Sequence, residues 1–299
     1  MFAFTTLRKS LLAAGMVAVT ALGATQPAWS AQCEDPKALR FSLVPTQDSI
    51  RELTYYKPIL DLLAKNTGKK IEFYMPTSYS SVVEALLGKW VDIAVLGPES
   101  YVIAHNKDRD IEVFATYSRQ ADGIQVAGPG YQSLLITKKG SSFTSIESLK
   151  GSVLALVDPA STSGSLIPEA EFPKDKHLPP LNQYFSRVIF SGGHDLSTLA
   201  VAEGKVDAAF VASHRFMEVV HAGKVKQDDF TVLWSSALLP QDPFVYRANL
   251  CEGLKKAIAD TFLTVDQTEE GRTYLTNIRS ERVVKMNDAD YDIIRSVAK

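Results

Sequence analysis

Residues 80–95 read SSVVEALLGKWVDIAV, and residues 197–211 read STLAVAEGKVDAAFV. Each stretch places apolar side chains at helical spacing, followed by Gly-Lys and then by a short apolar run that opens with Val-Asp. A glycine after a helical pattern is typical of a helix end, and a short apolar run is typical of a buried strand. The chain therefore carries one helix–turn–strand plan twice, which predicts two lobes built alike.

On either side of each of these two stretches, strand-like and helix-like segments alternate along the chain. Strands separated by helix-length segments favour parallel sheets. The sequence thus predicts an α/β fold of two lobes, each a mostly parallel sheet flanked by helices. We predict strands at residues 39–44, 71–75, 91–96, 153–157, 188–190 and 206–211, and helices at residues 55–65, 80–87, 164–170 and 196–203.

Two loop-rich segments are candidates for the crossings between the lobes. One is residues 117–130, rich in glycine and polar residues, and the other is residues 232–240. Two crossings make the first lobe discontinuous. We therefore predict lobe 1 over residues 31–122, lobe 2 over 123–236 and a return to lobe 1 over 237–299. Lobes joined by two such hinge segments can close over a cleft.

The first 30 residues have the pattern of a secretory signal peptide. Arg8 and Lys9 precede the apolar run of residues 11–24, and Ala28-Trp29-Ser30 is a plausible signal-peptidase site. The alternative is an uncleaved membrane anchor, although the run is short for a membrane span. We predict cleavage after Ser30 and export to the periplasm.

Export changes the interpretation of the two cysteines, Cys33 and Cys251. In an oxidising compartment, two such cysteines pair more often than they stay reduced. We predict a disulfide that ties the start of the mature chain to a late segment. The alternative is one buried thiol and one free thiol.

The run Asp158-Pro159-Ala160-Ser161-Thr162-Ser163-Gly164-Ser165 is the strongest candidate for a binding site. It follows an apolar strand and precedes a predicted helix, whose first amides have no partner inside the helix. Those amides, the helix dipole and three consecutive hydroxyl groups can together hold an oxyanion without Lys or Arg. The alternative is a plain Ser/Thr helix cap.

A second candidate is Ser191-Gly192-Gly193-His194-Asp195. It lies at the carboxyl end of the strand at residues 188–190, where open parallel sheets bind their ligands. The glycine pair permits unusual backbone dihedrals, and the His194 ring can donate to an anion. A histidine after two glycines is also common as a structural residue, so both interpretations stand at this point.

Composition and motifs exclude several classes of function. The chain has 32 Lys+Arg against 34 Asp+Glu, and a net charge of -2 gives no general attraction to nucleic acid. Neither Ser161 nor Ser163 lies in a Gly-x-Ser-x-Gly nucleophile elbow, and the sequence contains no nucleotide-binding P-loop and no His-Glu-x-x-His metal helix. We therefore predict a binding protein without cofactor or metal rather than an enzyme, with a secreted hydrolase as a remote alternative.

Four segments together resemble the periplasmic phosphate/phosphite/phosphonate-binding family, the substrate-binding components of ABC importers. They are residues 158–164, 191–195, 97–101 (Gly-Pro-Glu-Ser-Tyr) and 239–243 (Leu-Pro-Gln-Asp-Pro), and they occur in the family's order. The resemblance extends from about residue 39 to about residue 263. It implies the two-lobed type II periplasmic-binding-protein fold, which closes over a phosphorus oxyanion.

The resemblance also implies a set of ligand-binding residues. The family's Ser-Thr-Ser anion cradle falls on Ser161, Thr162 and Ser163, its ligand histidine on His194, its cleft tyrosine on Tyr79 and its acidic ligand on Asp242.

One departure from the family pattern bears on the ligand. Aminoalkyl-phosphonate binders hold the ligand amine with a glutamate after the second Val-Asp strand, and this chain has His214 there. An aromatic residue that such binders carry before the Gly97 position is also replaced, by Leu96. These departures make 2-aminoethylphosphonate an unfavourable ligand. His214 either reaches an anion or packs beside Arg215.

Asp242 has a physical consequence for specificity. A carboxylate beside an oxyanion is repulsive unless a proton is shared between them. Asp242 would therefore select phosphite, phosphate or short alkyl phosphonates in their protonated forms over sulfate. The alternative is that Asp242 is a turn residue before Pro243.

The expected partner is an ABC permease. In the competing interpretation, the partner is a sensor kinase that detects a phosphorus or arsenic oxyanion. The protein itself is expected to be a monomer.

Overall fold

The computed structural model describes residues 33–46 and 49–298. The predicted signal peptide, residues 1–30, lies outside the described residues. Within the part of the chain that is described, two mixed sheets are each flanked by helices, which confirms the predicted α/β class. The same residues contain no helix that is long and apolar enough to cross a bilayer.

The first sheet has six strands in the order β13-β4-β12-β3-β1-β2. Its parallel part, β2-β1-β3, comes from the predicted strand–helix alternation, and β12, β4 and β13 extend it in antiparallel pairing. The strands are β1 (Ala38–Leu43), β2 (Lys70–Phe73), β3 (Ile93–Val95), β4 (Ile111–Arg119), β12 (Pro243–Arg247) and β13 (Ser280–Lys285). The helices beside it are α1 (Ser49–Thr67), α2 (Tyr79–Leu87), α3 (Pro98–Lys107), α9 (Glu252–Leu263), α10 (Glu269–Asn277) and α11 (Asp292–Val297).

The second sheet has five strands in the order β10-β6-β9-β7-β8. The strands β8, β7 and β9 are parallel, and β6 and β10 add an antiparallel edge. Its strands are β6 (Ser133–Lys138), β7 (Val153–Leu156), β8 (Arg187–Phe190), β9 (Ala208–Ala212) and β10 (Phe230–Ser235). Its helices are α4 (Ile167–Ala170), α5 (Phe172–Asp175), α6 (Leu181–Tyr184), α7 (His194–Ala202) and α8 (Ser213–His221).

The repeated plan of the sequence places α2 and β3 in the first lobe and α7 and β9 in the second. Every residue of β3 and of β9 is buried, as expected for central strands that are covered on both faces. Because the ends of such parallel strands carry the loops that face the cleft, this arrangement positions the candidate site.

The chain crosses between the sheets after β4 and again after β10. The crossings are joined by a two-stranded ribbon, in which β5 (Gly130–Tyr131) pairs antiparallel with β11 (Leu239–Pro240). The second crossing begins later than expected, because residues 230–235 are the edge strand β10 rather than part of the loop. The predicted boundaries at residues 123 and 237 stay a prediction.

The start of the described chain is fastened to the first lobe. Cys33 and Cys251 form a disulfide, which confirms the predicted pairing. Glu34 adds backbone hydrogen bonds to Asn249 and Cys251 and an ion pair with Arg247 at 2.7 Å. The N-terminal segment and the start of α9 therefore form one covalent and hydrogen-bonded unit.

Candidate functional site

One enclosed cavity brings together all seven residues that the sequence singled out. It lies between the two lobes and has a volume of about 10 Å³. A cavity of this size has room for about one water molecule. The predicted residues that line it are Tyr79, Ser161, Thr162, Ser163, His194, His214 and Asp242, and the others are Val44, Gly97, Tyr131, Ala212 and Arg215.

The three consecutive hydroxyl groups have three different roles. Ser161 caps the following turn by accepting from the Gly164 amide at 3.1 Å, as the simple helix-cap interpretation expects. Thr162 accepts from the Glu99 amide of the other lobe at 2.8 Å. The Ser163 hydroxyl is buried and has no hydrogen-bond partner among the described residues. Ser163 is therefore the hydroxyl that remains available to a ligand.

The turn that carries these hydroxyl groups is wider than the predicted α-helix start. Residues 162–166 form one π-helical turn, and the α-helical segment α4 begins only at Ile167. Pro168 has no N–H and so cannot bond the Gly164 carbonyl in α-helical register, and that carbonyl accepts instead from the Val157 amide at 2.9 Å. A Cβ at Gly164 would lie 2.4 Å from the Val157 side chain. The turn therefore needs glycine to lie this close to the end of β7.

The hydrogen bonds of His194 fix the tautomer of its ring. The Ala212 amide donates to its Nδ1 at 3.0 Å, so Nδ1 is an acceptor and a neutral ring must carry its proton on Nε2. Burial, together with nearby His214 and Arg215, lowers the pKa of His194 to about 3. His194 is therefore a neutral N–H donor at the cavity wall.

His214 and Asp242 face each other across the same cavity. The His214 Nε2 lies 3.6 Å from the Asp242 carboxylate, which is too far for a hydrogen bond, and neither ring nitrogen has a hydrogen-bond partner in the described part of the chain. Burial lowers the pKa of His214 well below its usual value and raises the pKa of Asp242. The Tyr131 ring packs against His214 edge to face, with the ring centroids 4.9 Å apart. The pair is thus held in place but incompletely hydrogen-bonded.

Arg215 is the cavity residue that the sequence interpretation missed. Its guanidinium lies 3.8 Å from the Asp242 carboxylate, so a cation lines the cavity beside the predicted hydroxyl groups and amides. The same group binds Glu52 at 2.9 Å and Glu218 at 3.0 Å, and these carboxylates offset its charge. The Arg215 partner Glu52 is 163 residues away in sequence, so no local pattern could have indicated the pairing.

The lobes meet around the cavity through several specific contacts. The Ser100 hydroxyl donates to the Ala160 carbonyl at 2.8 Å, and the Tyr79 amide donates to the Asp158 carboxylate at 3.4 Å. The ion pair between Glu52 of α1 and Arg215 of α8 adds a charged link. The structure is therefore the closed form of the cleft.

The motifs and this geometry match a known family. The sequence model of the family described as "ABC transporter, phosphonate, periplasmic substrate-binding protein" matches residues 41–291. The chain belongs to this family. Membership of this periplasmic phosphonate-binding family confirms the predicted resemblance, and it confirms that the chain is a transport-system binding protein and not an enzyme.

Two curated relatives of the family are similar over most of this chain. The phosphate-import protein PhnD of Mycolicibacterium smegmatis is 28% identical over 277 residues, which cover 88% of this chain and 85% of the relative. The phosphonates-binding periplasmic protein of Escherichia coli is 30% identical over 249 residues, which cover 82% of this chain and 71% of the relative.

Solved structures confirm the type II periplasmic-binding-protein fold. The binding-protein component of an ABC phosphonate transporter from Pseudomonas aeruginosa has a TM-score of 0.80 and 26% identity, with 88% of this chain and 86% of that chain covered. PhnD1 from Prochlorococcus marinus, solved in complex with methylphosphonate, has a TM-score of 0.78 and 19% identity, with 88% of this chain and 98% of that chain covered.

Proposed function

We propose that this protein captures a small phosphorus oxyanion, namely phosphite, phosphate or a short alkyl phosphonate, in the enclosed cavity and delivers it to an ABC importer. The observation that supports this most is the set of unpartnered polar atoms at one place: the Ser163 hydroxyl and both ring nitrogens of His214. A buried polar group without a partner costs about 1–3 kcal/mol. An oxygen-rich guest would recover that cost at each atom.

The proposed ligand shell consists of neutral donors and one shared proton. Ser163 and His194 Nε2 donate to the anion, Tyr79 closes the cavity from the first lobe, and Ser161 and Thr162 hold the turn and the lobes in place. Asp242, whose pKa burial raises, accepts or shares the proton of a P–O–H group. His214 completes the shell with one N–H and one acceptor nitrogen.

The enclosed cavity favours compact ligands without an amine. In this closed form the cavity holds about one water molecule, so a tetrahedral anion requires the lobes to lie slightly further apart than they do here. His214 has a low pKa and stands where amine binders have a carboxylate, so an ammonium group finds no counter-charge from it. The names of the two curated relatives, one for phosphate import and one for phosphonates, support the same ligand class.

Calorimetric titration of the mature protein tests the ligand class. We expect binding of phosphite, phosphate or methylphosphonate and at least tenfold weaker binding of sulfate, which has no proton to share; tenfold corresponds to about 1.4 kcal/mol. In Asp242→Asn, the discrimination against sulfate should shrink. Equal binding of sulfate and phosphate by the wild-type protein would contradict the role of Asp242. Failure of all three phosphorus anions to bind would overturn the proposed function.

Delivery to a permease is favoured over presentation to a sensor kinase because the matching family is one of ABC-transporter components. Uptake assays in cells with and without the gene, using the anion identified by calorimetry, distinguish the two roles. Loss of uptake supports import, whereas unchanged uptake with altered gene expression supports sensing. The monomeric state stays a prediction, and light scattering of the purified protein measures it.

A further inference from the structure

A second and larger cavity adjoins the enclosed cavity. We name it the side chamber; its volume is about 270 Å³. Tyr79, His194 and Arg215 line both spaces and form the wall between them. A tetrahedral anion bound in the enclosed cavity does not extend into the side chamber. A ligand with a longer substituent, held at its phosphorus end near Ser163, has the chamber directly beyond these three side chains.

The side chamber is lined by charged groups that are largely balanced among themselves. Arg215 binds Glu52 and Glu218, and Arg119 lies 3.6 Å from Glu218. These two guanidinium groups therefore offset the two carboxylates. Arg51, Asp195 and the exposed Arg279 also line the chamber, and Arg279 lies 3.9 Å from Asp122, which does not line it. An apolar alkyl tail would desolvate these charges without compensating them, so the chamber favours a polar substituent.

Arg119 indicates which kind of polar substituent the side chamber can bind. It is 4% exposed, and one terminal nitrogen donates to the Ile278 carbonyl at 2.6 Å. Its Nε, however, is buried and has no acceptor among the described residues. A buried guanidinium N–H needs an oxygen acceptor, and a carboxylate is the strongest one. A ligand ammonium group offers no acceptor and would add a cation beside two arginines.

We propose that the side chamber is a substituent site and that the protein also binds carboxyalkyl phosphonates, with the carboxylate held by Arg119. This inference rests on the proposed function, because the phosphorus group must be held in the enclosed cavity. The linking carbon atoms of such a ligand would have to pass between Tyr79, His194 and Arg215, which line both spaces. Arg119 is then a specificity-determining residue that smaller ligands do not touch.

Titration of the mature protein with four matched ligands tests the inference: methylphosphonate, phosphonoacetate, 3-phosphonopropionate and 2-aminoethylphosphonate. We expect one of the two carboxylates to bind at least as tightly as methylphosphonate and the amine to bind at least tenfold more weakly. In Arg119→Met the carboxylate ligand should lose about tenfold or more in affinity relative to methylphosphonate, the usual range for a charged hydrogen bond.

Each outcome separates this inference from the function on which it rests. If methylphosphonate binds and both carboxylates bind more than tenfold more weakly, the side chamber is not a substituent site, although the proposed function stands. If the amine binds best, the assigned chemistry is wrong. If Arg119→Met weakens all ligands alike, Arg119 acts on closure and not on the carboxylate. The wild-type ligand series decides the matter even if Arg119→Met fails to fold.

Discussion

The ion pair between Glu52 and Arg215 should set how readily the cleft closes. Glu52 lies on α1 of the first lobe and Arg215 on α8 of the second, with 2.9 Å between the Oε1 and Nη1 atoms. Both side chains are about nine-tenths buried. Opening the cleft separates them, whereas Glu218 stays with Arg215 on the same helix. Replacing Glu52 by Gln therefore weakens the closed form and leaves the open form nearly unchanged.

The expected loss of affinity in Glu52→Gln depends on the partners that Arg215 retains. Removing one partner of a buried ion pair costs about 3–5 kcal/mol when the other charge is left alone. Arg215 retains Glu218, and a glutamine oxygen can still accept from it, so we expect about 1–2 kcal/mol, or roughly a 5- to 30-fold rise in Kd. Because Glu52 does not line the enclosed cavity, phosphite, phosphate and methylphosphonate should weaken by the same factor.

Calorimetry and small-angle scattering measure this effect directly. Asp61→Asn is the matched control, because it removes the exposed Lys57–Asp61 pair from the same helix and should change Kd by no more than about twofold. Scattering should show a less compact ligand-free state in Glu52→Gln. Burial raises the pKa of Glu52, so the difference from wild type should shrink as acid protonates the native carboxyl. Unchanged affinity, or a loss that differs among the three anions, would refute the reasoning.

Two further perturbations test the turn and the pH response. Gly164→Ala should destabilise the fold by about 1–3 kcal/mol, because its Cβ would overlap the Val157 side chain. Gly253→Ala is the control, since its Cβ would meet nothing within 4 Å, and it should leave the stability nearly unchanged. Urea unfolding measures the stability of both variants. Burial raises the pKa of Glu99 to about 7, so the folded protein keeps a proton that the unfolded chain loses above about 4.5. The unfolding free energy should therefore fall as pH rises through this window, by at most about 3 kcal/mol, and Glu99→Gln should flatten that fall; equal pH profiles would contradict the shift.

Local patterns in the sequence were sufficient for the framework of the fold. The repeated helix–Gly-Lys–strand plan predicts both parallel cores, and the hydroxyl run and the glycine pair before His194 mark the strand ends that meet at the cavity. The antiparallel strands were missed because their pairing joins segments far apart in sequence, as in β12 with β3. The π-helical turn was missed because it depends on Pro168 and on a backbone hydrogen bond from the Val157 amide together, which residue types alone do not show.

The roles of the individual site residues could likewise not be predicted from local sequence. Ser161, Thr162 and Ser163 are equivalent by type and position, and only tertiary contacts give them three roles. The tautomer of His194 likewise depends on the amide of Ala212, which is 18 residues further along the chain. Sequence patterns therefore predict which groups gather at the cavity, whereas their protonation and their available hydrogen bonds are decided by neighbours that folding supplies.

In the proposed function, the charges around the cavity would let one site reject sulfate and still release its ligand. A free buried cation would hold any dianion tightly, but the Arg215 guanidinium is already paired with two carboxylates. The proposed ligand would therefore meet neutral donors at Ser163 and His194, together with a carboxylate at Asp242 that requires a proton. We therefore expect affinity to come largely from closure, in which Glu52 meets Arg215, and separation of that pair to return the ligand to a weaker, open site.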